Sequence, residues 1–150
     1  MGCGEGLGRR GLPAVGGRYG GRVSLRELFW PLLGNWTGVE QLSAGGTARA
    51  MITFKLDVAD RVVLQDYRQV RDNGAELTGH GVFLIDPVTS DLLWCFFDSS
   101  AIPPIPLRGL QVGGELVLGP HREHRFWIEN DQLHRKAPGL VGSYTRISGH

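Results

Sequence analysis

The chain has 150 residues, with 16 basic and 15 acidic side chains that leave it almost neutral. This length predicts one domain whose core is large enough to fold without a disulfide or a metal. No apolar run approaches the roughly 18 residues of a membrane-spanning helix, so we expect no membrane partner. The near-neutral charge also argues against nucleic acid as a partner.

Glycine is unevenly distributed, because nine of the 23 glycines lie within residues 1–22. This segment also carries four arginines and one glutamate, a formal charge of +3. It has too few apolar side chains to offset the entropy of ordering the chain. We therefore interpret residues 1–22 as a disordered Gly/Arg-rich leader and residues 23–150 as the folded domain.

The two cysteines, Cys3 and Cys95, fall in the leader and in an apolar segment respectively. They are not expected to pair, which fits a reducing compartment. The leader also lacks the apolar stretch of a secretory signal peptide. We therefore expect a cytoplasmic protein.

The folded part begins with a short helix. Ser24 and Glu27 have the spacing of a capping box, in which each residue caps the other across the first turn. Pro31 follows closely, and the residue before a proline disfavours helical geometry. The pattern predicts one or two turns that end near Leu33.

Strand and turn signals then follow at short intervals. Asn73-Gly74 is typical of a tight hairpin turn, since both residues accept a positive φ. The proline-rich segment 99–106 is predicted as a loop. The predicted strands are 35–43, 47–57, 61–71, 76–85, 91–98, 107–112, 115–118, 124–129, 132–136 and 143–148.

About ten sequential strands with short turns predict an all-β fold, an antiparallel up-and-down meander that closes into a barrel. Closure removes the exposed edge strands that invite aggregation. A barrel of this strand number can enclose a small ligand.

One motif carries a family resemblance. The segment LLGNWTG, residues 32–38, resembles the opening of calycin-type barrels, which include lipocalins, fatty-acid-binding proteins and nitrobindin-like haem proteins. Residues 34–118 are most similar to the bacterial DUF1579 family, whose function is uncharacterised. The matching positions are Gly34, Trp36, Gly79-His80-Gly81, Asp86, Trp94 and Asp98-Ser99. The resemblance implies a lipocalin-like barrel.

Two departures weaken the haem-binding branch of this resemblance. The haem-binding relatives have a third glycine in the opening motif, whereas Val39 and Glu40 follow Gly38 here. Their iron ligand is a histidine on the last strand, and segment 143–148 contains none, with Tyr144 in that neighbourhood. Haem is therefore not the expected cofactor.

Period 2 places Trp94, Phe96 and Asp98 on one face of their strand. The opposite face is also apolar, with Leu93, Cys95 and Phe97. We expect the first face to line the cavity, where Asp98 either anchors a ligand or ends the strand by bonding the next turn. The second face needs a cover, and we expect a homodimer.

Other polar and aromatic residues have two interpretations each. His80 either contacts a ligand or is a structural residue, and the polar face of Tyr67 lines a wet cavity or faces solvent. Trp36 is either a ligand wall or, as we favour, a plug at the closed end. His121 and His124 are interpreted as part of a solvated basic turn rather than a metal site.

The leading hypothesis is a non-enzymatic barrel that binds a small, largely apolar or amphipathic molecule through Trp94, Phe96, Asp98, His80 and Tyr67. One alternative is a haem-binding barrel with His80 or His134 as the iron ligand. Another is an enzyme that uses Asp66, His80 or Asp98 in acid–base chemistry on a bound hydrophobic substrate. A barrel filled completely by its own side chains is also open.

Overall fold

The computed structural model describes residues 24–148, apart from the side chains of four of them, Ala101, Ile102, Ile105 and Ser148. The expected leader, residues 1–22, and Cys3 lie outside this range. The elements are helix α1 (Leu25–Phe29), a 3₁₀ helix (Trp30–Leu32), and strands β1 (Gly34–Leu42), β2 (Thr47–Asp57), β3 (Val62–Arg71), β4 (Glu76–Ile85), β5 (Leu92–Asp98), β6 (Ala101–Val112), β7 (Glu115–Leu118), β8 (His124–Glu129), β9 (Gln132–Ala137) and β10 (Leu140–Ser148).

The predicted capping box is present at the start of α1. The Ser24 hydroxyl accepts a hydrogen bond from the Glu27 amide at 3.1 Å, and the Glu27 carboxylate accepts one from the Ser24 amide at 3.0 Å. Pro31 lies in the 3₁₀ helix, which ends the helical segment just before Leu33. The short N-terminal helix is therefore confirmed. Within residues 24–148 no helix is long and apolar enough to cross a membrane.

The ten strands form a closed antiparallel barrel in which each strand pairs with its neighbours in sequence. Pairing of β1 with β10, from Gln41 opposite Val141 to Trp36 opposite Arg146, closes the sheet. The predicted all-β, up-and-down, ten-stranded barrel is confirmed.

The predicted loop at 99–106 is wrong, because β6 already begins at Ala101. Its first half pairs with β5, with Pro106 opposite Cys95, whereas its pairing with β7 begins only at Gly109. Proline cannot donate to a ladder, so it is tolerated where one side of a strand is unpaired. The short β7 provides that one-sided stretch. Elsewhere the observed strand bounds differ from the predicted ones by at most three residues.

The helices cover the end of the barrel where β1 begins. There Phe29 is fully buried, and its ring centroid lies 4.8 Å from that of Phe83 and 6.0 Å from that of Phe54. The turns after β1, β3, β5, β7 and β9 lie together at the opposite end, because successive strands are antiparallel. We call this opposite end the mouth.

Trp36 is a plug at the helix end, as the favoured interpretation predicted. Its indole is 1% exposed and donates a hydrogen bond to the Leu32 carbonyl at 2.8 Å. The Arg146 guanidinium lies 4.3 Å from the ring centroid and donates hydrogen bonds to the carbonyls of Leu33 and Pro31. These contacts fix the 3₁₀ helix against β1 and β10.

Candidate ligand-binding site

The alternation along β5 has the predicted direction. Trp94 is 2% exposed and stacks on Phe83, with 5.4 Å between ring centroids and 5° between the ring planes. Phe96 packs beside Trp94 at 5.3 Å, while Phe97 on the other face is 38% exposed. Trp94 and Phe96 therefore face the barrel interior.

Two glycines of β4 make room for these rings. A Cβ atom on Gly79 would lie 2.6 Å from the Phe96 ring, and one on Gly81 would lie 2.7 Å from the Trp94 indole nitrogen. Side chains of the adjacent strand therefore occupy the space that these two glycines leave.

A pocket of about 260 Å³ lies at the mouth, between the β5–β6 turn and the segment that enters β8. Aromatic and aliphatic side chains form most of its wall, and three polar residues complete it. The lining residues are Trp94, Phe96, Phe97, Pro103, Leu107, Asp98, Glu123 and His124. Three predicted site residues, Trp94, Phe96 and Asp98, therefore share one pocket.

Asp98 ends its strand by bonding the next turn, as one of its two interpretations predicted, and it also borders the pocket. One carboxylate oxygen accepts hydrogen bonds from the Ser100 amide at 2.8 Å and the Ser100 hydroxyl at 2.7 Å. The same side chain lines the pocket. The bonds to Ser100 hold the carboxylate at the start of the β5–β6 turn.

His124 is not part of a solvated turn, which corrects the sequence interpretation. Its ring lies edge-on to Trp94 at 5.0 Å, and its Nδ1 is buried with no hydrogen-bond partner among the described residues. Burial first, and then the nearby Arg135, lower the pKa of His124 below its ordinary value. The alternation of side chains along β8 could have indicated this position, because His124 lies on the same face of the strand as the buried Phe126.

Glu123 enters the site from the turn that precedes β8. Its carboxylate accepts a hydrogen bond from the His121 amide at 2.9 Å. Hydrogen bonds from backbone amides, including its own, lower the pKa of Glu123. The side chain is therefore ionised at neutral pH. Sequence reasoning missed this residue, since nothing in its neighbourhood marks the turn as part of a pocket.

A buried polar cluster lies in the interior around Glu40, which is 0% exposed. One Glu40 oxygen accepts hydrogen bonds from the Tyr67 hydroxyl at 2.6 Å and the Gln69 amide at 2.7 Å. The other accepts from the Tyr144 hydroxyl at 2.5 Å and the Arg135 guanidinium at 3.1 Å. A carboxylate has about four lone-pair sites, so the lone pairs of Glu40 are all used. Glu40 is consequently a structural anchor rather than a free base.

Tyr67 faces the interior, so of its two interpretations the solvent-facing one is wrong. Its ring contacts Phe96 with 6.2 Å between centroids, and burial raises the pKa of its phenol. Gln65, on the same face of β3, accepts a hydrogen bond from the Trp94 indole at 2.9 Å. The polar face of β3 therefore packs against the aromatic side chains of β5 and hydrogen-bonds to one of them.

His80 does not line the cavity, contrary to expectation. Its imidazole Nδ1 lies 2.6 Å from an Asp66 oxygen on the outer surface, where the two side chains are 63% and 68% exposed. His80 points outward because side chains alternate between the two faces of a strand, and its neighbours Gly79 and Gly81 face inward. Asp66 and His80, two of the three candidates for acid–base chemistry, contact each other outside the barrel.

The second haem-ligand candidate, His134, also lies on the outer surface. Its ring stacks on Trp127, with 5.4 Å between centroids. Neither candidate iron ligand therefore points into the barrel. Across residues 24–148, no group of three or more His, Cys, Asp or Glu side chains is arranged to hold a metal ion.

No protein-family model and no curated protein matches this chain. It is similar to a redesigned β-barrel, mFAP0, bound to DFHBI, with 16% identity over 77% of this chain and 99% of that chain, at a TM-score of 0.44. It is also similar to EF1p2_mFAP2b bound to DFHBI (16% identity, 82% and 99% coverage, TM-score 0.45) and to a de novo designed fluorescence-activating β-barrel (11%, 78% and 94%, 0.42). A likeness at these TM-scores says nothing about what this chain binds.

Proposed function

We propose that the protein is a non-enzymatic barrel that binds a small, largely apolar molecule in the pocket at the mouth. The observation that carries this proposal is the convergence of Trp94, Phe96 and Leu107 on one pocket of about 260 Å³. Ligand sites are mostly apolar concavities with a few placed polar groups. This volume is slightly below the range for such sites, which starts at roughly 300 Å³, so the ligand is small.

The pocket wall is held in place before any ligand arrives. The Trp94 indole is fixed by its hydrogen bond to Gln65 and by stacking on Phe83. A wall that is already ordered loses little conformational entropy on binding. This order of the wall before binding favours affinity.

No observation favours haem binding or acid–base catalysis. His80 and His134 lie on the outer surface, and Glu40 has no lone pair left for a proton. The Asp66–His80 pair is exposed to solvent on the outer surface, and neither residue lines the pocket. Binding without catalysis requires only the pocket residues in the arrangement that the structure shows.

The test fills the pocket with a larger side chain. Leu107 lines the pocket from β6, whereas Leu110 on the same strand is 46% exposed on the outside. We expect Leu107→Trp to weaken binding of the neutral fluorescent probe phenylnaphthylamine at least about tenfold. The matched control, Leu110→Trp, should leave that binding unchanged.

Native mass spectrometry of the purified wild-type protein completes the test, because a retained ligand would add its mass to the chain. Equal probe binding by wild type and by a folded Leu107→Trp variant would contradict the proposal. Circular dichroism establishes that both variants are folded.

We further propose that the chain belongs to the DUF1579 family, on the positions that match between Gly34 and Ser99, and that it is cytoplasmic, because its two cysteines are not expected to pair. The homodimer is proposed from the outer face of β5, where Leu93 and Cys95 are half-buried and Phe97 is exposed.

A further inference from the structure

We infer that the ligand of this pocket carries a neutral carbonyl oxygen, which accepts a hydrogen bond from the Nε2–H group of His124. This inference rests on the proposed function and specifies the class of ligand as a small apolar ketone or ester. It follows from the hydrogen bonds that the polar residues of the pocket already make, and from a ring nitrogen that makes none within residues 24–148.

The two carboxylates of the pocket already accept hydrogen bonds from their own turns. Asp98 accepts from the amide and the hydroxyl of Ser100, at 2.8 and 2.7 Å. Glu123 accepts from the His121 amide at 2.9 Å. Both Glu123 oxygens also lie against Gly119, where a Cβ atom would be 2.9 Å from Oε2 and nearer still to Oε1. These side chains therefore hold the turns around the pocket and do not depend on a ligand for a partner.

His124 differs from the carboxylates, because its ring makes no hydrogen bond to any described residue. The side chain is half-buried, lines the pocket and lies edge-on to Trp94 at 5.0 Å. Nδ1 is the ring nitrogen that is buried without a partner. Nε2 is also without a partner among residues 24–148 but is not buried, so it is the nitrogen that a ligand in the pocket can reach.

The His124 ring is neutral at neutral pH. Burial, and then the positive charge of Arg135, lower the pKa of His124 below its ordinary value. A neutral imidazole has one nitrogen that donates a hydrogen bond and one that accepts. Whether the pocket presents a donor or an acceptor therefore depends on which nitrogen carries the proton.

The surroundings of Nδ1 favour a lone pair at that nitrogen. Arg135 lies opposite Phe126, one inward-facing position deeper in the barrel than His124. The Arg135 guanidinium is positive, and its Nε–H is itself buried without a partner in the described part of the chain. A proton on Nδ1 would add a second unsatisfied buried donor near this charge, whereas a lone pair is attracted to it. The proton therefore lies on Nε2, and the pocket presents a donor.

A donor beside aromatic and aliphatic side chains suits an apolar ligand with an acceptor oxygen. Trp94, Phe96 and Leu107 cover the apolar body, and Nε2 binds the oxygen. Backbone hydrogen bonds lower the pKa of Glu123 and keep this neighbouring carboxylate negative, so an anionic oxygen would be repelled. A carbonyl group meets both requirements, because it accepts hydrogen bonds and carries no charge.

The experiment compares three small aromatic ligands. Acetophenone has a carbonyl group, 2-phenylpropene has a CH2 group in place of that oxygen, and indole has an N–H donor without a carbonyl. NMR titration of the full chain at neutral pH measures their affinities for the wild type and for His124→Phe, which keeps an aromatic ring but removes both nitrogens. Acetophenone should bind this variant about three- to tenfold more weakly, the range expected for one hydrogen bond. The other two ligands should bind it at least as tightly as they bind the wild type.

The matched control is His80→Phe, which makes the same change on the outer surface. This variant should bind all three ligands with wild-type affinity. Circular dichroism establishes that both variants are folded.

The position of the proton is measured on the wild-type protein, so this part of the test does not depend on a variant that folds. Side-chain ¹⁵N spectra distinguish a ring nitrogen that carries a proton from one that carries a lone pair. The proton of His124 should be on Nε2, and the Nε2 resonance should shift when acetophenone is added. A proton on Nδ1 would overturn the inference.

The outcomes separate this inference from the proposed function. If His124→Phe leaves acetophenone binding unchanged, weakens acetophenone and 2-phenylpropene equally, or weakens indole alone, the carbonyl preference is wrong and the pocket is still a binding site. If none of the three ligands and no phenylnaphthylamine binds the wild type, the proposed function fails with it.

Discussion

Glu40 illustrates, at the scale of a single residue, how the barrel tolerates a charge in its interior. Removing a carboxylate from water is costly unless a partner and hydrogen bonds replace the lost solvation. Here the Arg135 guanidinium, two phenols and an amide group provide that replacement. The whole cluster therefore depends on Glu40.

The first prediction follows from this dependence. Glu40→Ala leaves the Arg135 charge buried without its partner and should lower the free energy of unfolding by about 3–5 kcal/mol. Urea unfolding measures this loss. The matched control is Glu76→Ala, since Glu76 pairs with Arg68 on the surface and both side chains are about half exposed. That variant should lose less than about 1 kcal/mol. Equal losses in the two variants would contradict a structural role for the cluster.

The second prediction concerns alkaline pH. Burial raises the pKa of Tyr67 and Tyr144 above the ordinary value of 10.0. The folded state therefore favours protonated phenols, whereas the phenols of the unfolded chain ionise near their ordinary pKa. The stability contributed by these tyrosines should be intact below about pH 10 and should decrease as the pH rises above it.

The ultraviolet absorbance of the phenolate measures this coupling. A Tyr19→Phe variant isolates the signal, because the chain has three tyrosines and Tyr19 is the third. Phenolate absorbance should rise only as circular dichroism reports unfolding. A rise in a chain that is still folded would show that the two phenols are accessible.

At the scale of elements, β4 and β5 are matched to each other across their pairing. Gly81 faces the barrel interior opposite Phe96, and its missing side chain leaves the space that the Trp94 indole and Gln65 occupy. The aromatic wall therefore depends on a strand that contributes no side chain at that point.

The third prediction tests this match. In Gly81→Ala the new Cβ would lie 2.5 Å from the Gln65 amide oxygen, so the wall must shift. We expect a loss of about 1–3 kcal/mol in the free energy of unfolding, which is typical of overpacking. We also expect a change in the near-ultraviolet circular dichroism of Trp94. Gly114→Ala is the control, because no atom lies within 4 Å of its Cβ position. A Gly81→Ala variant as stable as that control would contradict the prediction.

At the scale of the whole molecule, closure of the barrel determines how copies of the chain can associate. Apart from the proline-rich start of β6, which lacks a partner on one side, the closed sheet has no free edge to add a strand from a second copy. Proline cannot donate to a ladder, so we expect association to use side chains on an outer face. On β4 and β5 this face carries Val82 opposite Cys95 and Leu84 opposite Leu93.

The fourth prediction is a homodimer through this face at high micromolar concentration. Val82→Lys should shift sedimentation equilibrium toward the monomer, because it places a charge in the apolar contact. Val39→Lys is the control, since Val39 is exposed on β1, away from β4 and β5. A wild-type chain that sediments as a monomer at this concentration would rule the dimer out.

The sequence by itself determined the class of fold and much of the local structure. Turn residues such as Asn73-Gly74 separate segments of period 2, and these local patterns define strands in chain order. The capping box of Ser24 and Glu27 and the faces of β5 were likewise predictable, since each depends only on neighbours within a few residues.

Only the tertiary structure decided which face of a polar strand points inward. On β8 polar residues occur on both faces, so period 2 could not tell that His124 lies inside. On β4 the face of His80 also carries Glu76 and Thr78, whereas the opposite face holds only glycine and apolar residues, so the pattern there does agree with the outward position of His80. The Glu40 cluster was equally hidden, because its ion pair joins residues 95 positions apart. Its members can be buried only because barrel closure brings β1, β3, β9 and β10 together around one interior. The sequence also could not show that residues 101–106 form a strand. The prolines of this segment are tolerated there only because the short β7 leaves one side of β6 unpaired.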